Sequence, residues 1–506
     1  MLRKLRVPVL KDLFLCFVSA ILLILSFPKF DFEFLAWFSF VPVFFALNNK
    51  SLKQAFFLFF ITGVIFWSGI IYWLVHVTLA GAIVLILYLA LYFAIFGLVI
   101  RPCTKHSTPY ALIFIPSVWV LLEYLRSHLF TGFPWALLGY SQYINLPVIQ
   151  IADITGAWGV SFLVIMVNAA IVEIIYSGIN GLGSKLRTAV ISLVLFLSLT
   201  LSYGYFKIYS LSSSRQAVSI KISVVQGNIS QELKWSRETN DYIINKYLDI
   251  SRQVVRDKPD LIIWPEAALP VVLEEEPLFF AQVKEFTREA KTALLLGAVT
   301  SRNDYYYNSA VLVSGEGRLL ASYDKLHLVP FGEYIPLRNF LIFLETIAPI
   351  GDIEKGKDYT VFQQDGVRFS VLICFEDLFP ELSRRFVNKG ADFLVNITND
   401  AWYKKSTAAY QHLQASVFRA VENRVYLARA ANTGISGFIA ADGKIISLVR
   451  DRQGENIFVA GYDSERISVT GKSILSFYTK HGDVFVLACF LFILYGIILQ
   501  FKKRTV

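Results

Sequence analysis

Through the first 210 residues, apolar positions come in long blocks separated by short polar connections, with neither the alternation of a half-buried strand nor a one-sided helical stripe. A helix needs roughly 17–25 residues to cross a bilayer. Candidate spans are 12–28, 34–48, 55–75, 80–100, 109–125, 157–177 and 188–207, with an eighth at 482–501. The second is short and interrupted by Pro42. The first follows Met1-Leu2-Arg3-Lys4-Leu5-Arg6, as in a signal peptide, but no small-residue cleavage pattern comes after it and further spans do. It is therefore expected to remain as a helix.

After Ser210-Leu211-Ser212-Ser213-Ser214-Arg215 the pattern changes. Short β-rich runs at Ile220–Gln226, Asp260–Trp264, Ala293–Val299, Ser309–Val313, Phe369–Cys374 and Phe393–Asn396 predict strands. Helical patterns occupy about 237–256, 277–290, 381–388 and 406–424. Strands alternating with helices predict a layered α/β domain. The expected division is a membrane domain of seven helices at 1–210, a polar domain at 211–475, and an eighth helix with a tail at 476–506.

Composition supports the membrane reading. The chain is 55% hydrophobic and 17% charged, whereas soluble domains carry about 25% charge. A net charge of +9 raises the question of nucleic acid, but the basic residues fall between apolar runs and form no single stripe, so they are read as orientation signals and no nucleic-acid partner is expected. A cytoplasmic N-terminus puts Lys50, Lys53, Arg101, Lys105, Lys185, Arg187 and Lys502 to Arg504 all inside. Both basic ends are then cytoplasmic, and the polar domain lies outside, in a bacterial periplasm or its equivalent. Cys16 and Cys489 fall within spans, Cys103 in an inner loop, and Cys374 alone in the external domain. A lone external thiol forms no intramolecular disulfide, so it is either buried and inert or reactive.

Three short segments carry candidate chemistry. In Leu261-Ile262-Ile263-Trp264-Pro265-Glu266 an apolar strand is stopped by proline and presents an acid at its end. Lys325 opens the apolar segment Leu326-His327-Leu328-Val329-Pro330-Phe331-Gly332-Glu333. Cys374 closes the run Val371-Leu372-Ile373 and is followed by Phe375-Glu376-Asp377. Taken singly, Glu266 and Lys325 read more readily as an acid in a solvated turn and a surface lysine, and Cys374 reads equally as a small buried apolar residue. A carboxylate, an ammonium and a thiol together could perform acyl transfer through a thioester.

In this chain order, Glu266, Lys325 and Cys374 resemble the Glu-Lys-Cys set of the nitrilase superfamily. Further segments narrow the resemblance to the membrane-bound apolipoprotein N-acyltransferases. They are Phe331-Gly332-Glu333-Tyr334-Ile335-Pro336, Asn396-Ile397-Thr398-Asn399-Asp400-Ala401-Trp402, Gln411-His412-Leu413, Arg419-Ala420-Val421-Glu422 and Ala431-Asn432-Thr433-Gly434. In the membrane half, Glu123-Tyr124-Leu125-Arg126, Gly132-Phe133-Pro134-Trp135 and Gly139-Tyr140-Ser141-Gln142 are similar to that family's loop before the sixth span. Phe375 stands where members often have tyrosine, and Trp402-Tyr403-Lys404 where Trp-Phe-Gly is common.

The resemblance implies a nitrilase-like αββα sandwich on a polytopic domain of eight transmembrane helices, in a bacterial inner membrane. It implies Glu266 as general base, Lys325 as oxyanion stabiliser and Cys374 as nucleophile. Glu333, Glu376, Trp235 and Phe375 are implied as supporting positions, with plain core packing the other reading of Trp235. The implied acyl donor is a phospholipid and the implied acceptor a diacylglyceryl-modified lipoprotein. A membrane-anchored carbon–nitrogen hydrolase, passing the acyl group to water, is the alternative, and a non-catalytic scaffold or transporter a third reading. No paired histidine ligands, Cys-x-x-Cys or phosphate-binding glycine loop occurs, so no metal or cofactor is expected. The apolar cluster Pro336 to Glu345 is expected to form a membrane-facing lid.

Overall fold

A computed structural model describes residues 10–102, 110–212, 218–234, 237–330, 332–334, 353–469 and 475–502. Trp235 and the expected lid at Pro336 to Glu345 lie outside the described residues. The chain divides into two units, Met1–Ser210 with His481–Val506, and Leu211–Lys480.

The first unit is helical. Among the described residues, four helices are long and apolar enough to cross a membrane: Leu52–Ile70, Leu79–Ile100, Ala157–Ile179 and Gly183–Leu211. Helices also form at Leu10–Leu25, Ala111–His128 and Val484–Lys502, where three further spans were expected. Small residues let neighbouring helices approach closely. A Cβ on Gly97 would sit 2.6 Å from the Phe59 ring, and one on Gly63 3.0 Å from Ala90 Cα.

The second expected span, 34–48, is not one helix. A 3-10 turn at Glu33–Phe38 is followed by a short helix at Val41–Ala46, with Pro42 in its first turn. Proline is tolerated there because that N–H has no intrahelical partner in any case. Other helices satisfy the interrupted backbone, as an apolar setting requires. Asn168 accepts from the Phe40 N–H at 2.8 Å and donates to the Ala36 carbonyl at 2.9 Å, and Ser19 accepts from the Val43 N–H at 2.9 Å. Glu123 and Arg126 have a comparable role. Glu123 accepts from the Leu138 N–H at 2.7 Å, and Arg126 donates to the Phe133 and Trp135 carbonyls at 2.7 and 2.8 Å.

The second unit holds two sheets. One runs β13-β1-β2-β4-β5-β6, with β3 also paired to β4. Its strands are β1 (Val218–Gln226), β2 (Leu261–Ile263), β3 (Leu269–Val272), β4 (Ala293–Arg302), β5 (Tyr305–Val313), β6 (Leu319–Asp324) and β13 (Gly461–Val469). The other runs β12-β11-β10-β9-β8-β7. It comprises β7 (Phe362–Gln364), β8 (Val367–Ile373), β9 (Phe393–Thr398), β10 (Tyr426–Ala431), β11 (Gly437–Ile439) and β12 (Ile445–Leu448). The sheets meet through β1 against β10 and β5 against β8. Helices Asn240–Val254 and Pro277–Ala290 pack on the first sheet, and Pro380–Asn388 and Ala408–Asn423 on the second. The layers are thus helix, sheet, sheet, helix, as the resemblance implied.

The central strands β1, β2, β4, β8, β9 and β10 include parallel pairs and are almost continuously buried, which explains their unbroken apolar runs. The core on the outer side of the first sheet gathers Val225, Ile243, Tyr247, Ile262, Leu294 and Val311. Trp264 stacks on Tyr247 at 5.2 Å, and its indole N–H donates to Ser251 at 2.8 Å. This anchors the β2 end from which Glu266 emerges.

Candidate active site

Strand ends bring together the residues singled out in the sequence. Beyond β2, Trp264 and Pro265 lead to Glu266, and Ala267 turns the chain with a left-handed φ of 47°. Gly297 of β4 makes this turn possible: a Cβ there would lie 2.6 Å from Glu266 Cα. Glu266 is 7% exposed, and its two carboxylate oxygens have different partners. Oε2 accepts from the Asn399 N–H at 2.9 Å, while Oε1 accepts from Asn308 Nδ2 at 2.8 Å and faces Lys325 Nζ at 3.5 Å.

Lys325 follows β6. Its backbone is fixed by a bond from its N–H to the Asn308 carbonyl and by one from the Gly356 N–H to its own carbonyl. The ammonium is 1% exposed and donates to Glu333 Oε1 at 2.9 Å. Glu333 is held by the Val329 N–H on its other oxygen at 2.8 Å and by Asn308 at 2.8 Å. Burial alone would lower the Lys325 pKa, but Glu333 and then Glu266 outweigh it and raise the value. The lysine is a permanent cation.

Cys374 was expected as the last residue of its strand. Instead β8 ends at Ile373, and Cys374 opens a 3-10 turn, Cys374–Leu378. Its φ is +53°, a left-handed conformation that costs a non-glycine residue energy and is found mainly where the surroundings impose it. The residue as a whole is half-buried. Burial of its surroundings, then Glu266, push its pKa up, while Lys325 acts in the opposite sense. At rest it is a protonated thiol, and attack requires a base.

Glu376 joins the lysine and cysteine segments. Fully buried, it accepts from the N–H groups of Leu326 (2.7 Å), His327 (3.0 Å) and Ile373 (2.7 Å), and from the Tyr323 hydroxyl at 2.8 Å. One carboxylate thus fixes the chain beside Lys325 and the chain beside Cys374. Burial raises its pKa to about 7, against the lowering effect of the Ile373 N–H and Lys325. Glu376→Gln replaces one acceptor oxygen with a donor facing backbone N–H groups. It is expected to lower kcat by about 10–100-fold and stability by about 1–3 kcal/mol, read from kinetics and thermal unfolding of the same preparation. Phe375 is buried against Phe379, 5.7 Å between ring centres.

Sequence reasoning missed Asn308, which bridges both glutamates, and Lys234, which donates to the Ala267 carbonyl at 3.1 Å and approaches that of Glu266 at 3.4 Å. Burial lowers the Lys234 pKa to about 8, although Glu266 and Cys374 act to raise it. Asn308 had a signal in the sequence: Asn308-Ser309 interrupts an otherwise apolar and aromatic strand.

Residues 19–170 match the family described as apolipoprotein N-acyltransferase N-terminal domain, and 221–472 match carbon-nitrogen hydrolase. An apolipoprotein N-acyltransferase of Geobacter metallireducens is 38% identical, covering 100% of this chain and 99% of its own. Apolipoprotein N-acyltransferase 2 of Treponema denticola is 31% identical over 97% and 98% of the two chains. The Rickettsia prowazekii apolipoprotein N-acyltransferase is 33% identical over 71% of this chain and 73% of its own.

Proposed function

Because this chain belongs to the apolipoprotein N-acyltransferase family, we propose that it moves a fatty acyl chain from a phospholipid to a lipoprotein through a thioester on Cys374. It is an acyltransferase and a membrane protein. The observation that carries the thioester reading is a buried cation, Lys325, beside the carboxylate of Glu266, with its segment tied through Glu376 to the left-handed turn that holds Cys374.

In the first half-reaction Glu266 takes the thiol proton as sulfur attacks the phospholipid ester carbonyl. Lys325 neutralises the oxyanion; such preorganised charge is typically worth ~10²–10³ in rate. As the carbon–oxygen bond breaks, Glu266 gives that proton to the leaving oxygen, so the lysophospholipid departs as an alcohol and Glu266 is ionised again. In the second, the free α-amino group of a diacylglyceryl-cysteine N-terminus attacks the thioester carbonyl. Glu266 takes a proton from that nitrogen, the carbon–sulfur bond breaks, and the proton returns to sulfur. Glu333 holds Lys325 in place and keeps it charged throughout.

The basic loops favour eight spans in an inner membrane, with both termini cytoplasmic and the catalytic domain periplasmic. This reading is supported by helices at seven of the expected positions, four of them long and apolar enough to cross a membrane among the described residues, and by the tolerance for an interrupted span at 33–46 where neighbouring helices satisfy its backbone.

The test uses purified protein, phospholipid labelled in its fatty acid, and a synthetic diacylglyceryl-cysteine peptide. Equal amounts of lysophospholipid and N-acyl peptide are expected. Free fatty acid in place of N-acyl peptide would instead assign the protein as a hydrolase.

A further inference from the structure

Behind the nucleophile lies a buried charge cluster with no part in the chemistry above. His412, on helix Ala408–Asn423, places Nδ1 2.9 Å from Asp400 Oδ1 and Nε2 2.7 Å from Asp377 Oδ1. Nε2 also lies 3.3 Å from the Cys374 carbonyl oxygen. Arg429 of β10 donates to the remaining oxygen of each aspartate, Asp377 Oδ2 at 3.0 Å and Asp400 Oδ2 at 3.3 Å. Ser416 bonds to Asp377 as well, and Arg419, paired with Glu422, donates to the Asp377 and Leu378 carbonyls. His412, Asp377, Asp400 and Arg429 are each at most 2% exposed.

This arrangement fixes the protonation of the ring. Carboxylate oxygens only accept, and both imidazole nitrogens face one, so both must carry hydrogen while the aspartates are ionised. Arg429 keeps them ionised, and the cluster closes as two cations against two anions. The same ring reaches the carbonyl of the residue whose backbone is left-handed. Asn396 Nδ2, 3.2 Å away, is that oxygen's other donor among the described residues. Resting on the acyl-enzyme reading, we propose that His412 is a positioning residue for the reaction: as an imidazolium it holds the Cys374 carbonyl and thereby the left-handed turn that presents the thiol.

The charge state gives the role a pH signature. Burial and Arg429 act to lower the His412 pKa, but Asp377 and Asp400 outweigh them and raise it to about 9. A raised base contributes stability that is complete below its unfolded value, about 6.5, and is lost as pH rises through the folded value. Activity should therefore decline on the alkaline side with this group. Lys234 titrates in the same region, so the diagnostic quantity is the displacement of that decline between proteins that share Lys234.

The experiment compares full-length wild type, His412→Gln and Asp400→Asn in lipid nanodiscs. It follows thioester formation from phospholipid alone between pH 6 and pH 10, with iodoacetamide alkylation of Cys374 and thermal unfolding alongside. His412→Gln is expected to lower kcat for thioester formation by about 10–100-fold with KM little changed, and to slow alkylation. Asp400→Asn, by removing one of the two anions, is expected to move the alkaline decline down by about one pH unit. A folded His412→Gln protein with wild-type kcat overturns the proposal, and so does an Asp400→Asn decline that stays in place. If His412→Gln does not fold, the Asp400→Asn displacement decides alone. Failure of wild type to form any thioester would instead overturn the acyl-enzyme reading.

Discussion

Cys374→Ser is expected to accumulate no hydroxylamine-labile acyl-enzyme and to lower acyl transfer by at least about 10³-fold. Serine preserves the shape of the left-handed turn, its carbonyl bonds to Asn396 and His412, and the surrounding packing. The change is confined to the nucleophile: a hydroxyl is far harder to deprotonate than a thiol, and Glu266 must supply the difference. Folding is therefore expected to remain near wild type, and thermal unfolding run beside the transfer assay separates the two effects. Unchanged turnover in the Cys374→Ser protein would mean that no thioester lies on the path.

Lys325→Met has the second largest expected effect, and it acts on both rate and stability. Losing one oxyanion donor typically lowers kcat by ~10²–10³. The substitution also leaves Glu266 and Glu333 facing a single Asn308 amide with no cation between them. Removing one partner from a buried ion pair typically costs about 3–5 kcal/mol, so a clear fall in unfolding temperature should accompany the lost activity. Glu266→Gln should lower kcat by about 10²–10⁴, because an amide cannot accept the thiol proton, with a smaller stability change since Lys325 keeps Glu333. If Lys325→Met kept wild-type kcat, Lys325 would have no role at the oxyanion.

The division between what the sequence showed and what it hid follows the range of the interactions. Lys325 follows the partly exposed strand β6 and was visible as the charge that opens an apolar segment. Glu266 and Cys374 were visible because each follows a buried apolar run at a strand end, a local pattern set by burial on both faces of a sheet. Strands β2, β4, β8 and β9 were legible for the same reason. Strand β13 was not, since Gly461–Val469 is a polar edge strand that pairs with β1 across more than two hundred residues of chain. Strand β10 was hidden by Arg429, a charge in its middle that makes sense only once Asp377, Asp400 and Asn396 surround it. The roles of Asn308 and Lys234 depend likewise on partners distant in sequence. In the membrane unit, Pro42 marked the weak point of the expected second span, but its repair by Asn168 and Ser19 needed the packed helices.

The most direct test of the thioester mechanism is the intact mass of the wild-type protein after incubation with phospholipid and no lipoprotein acceptor. The expected result is a gain of one fatty acyl group, removed by neutral hydroxylamine, mapped to the peptide containing Cys374, and discharged when a diacylglyceryl-cysteine peptide is added. An adduct on any other residue, or an acylated peptide formed by a protein that never carries the adduct, would contradict it.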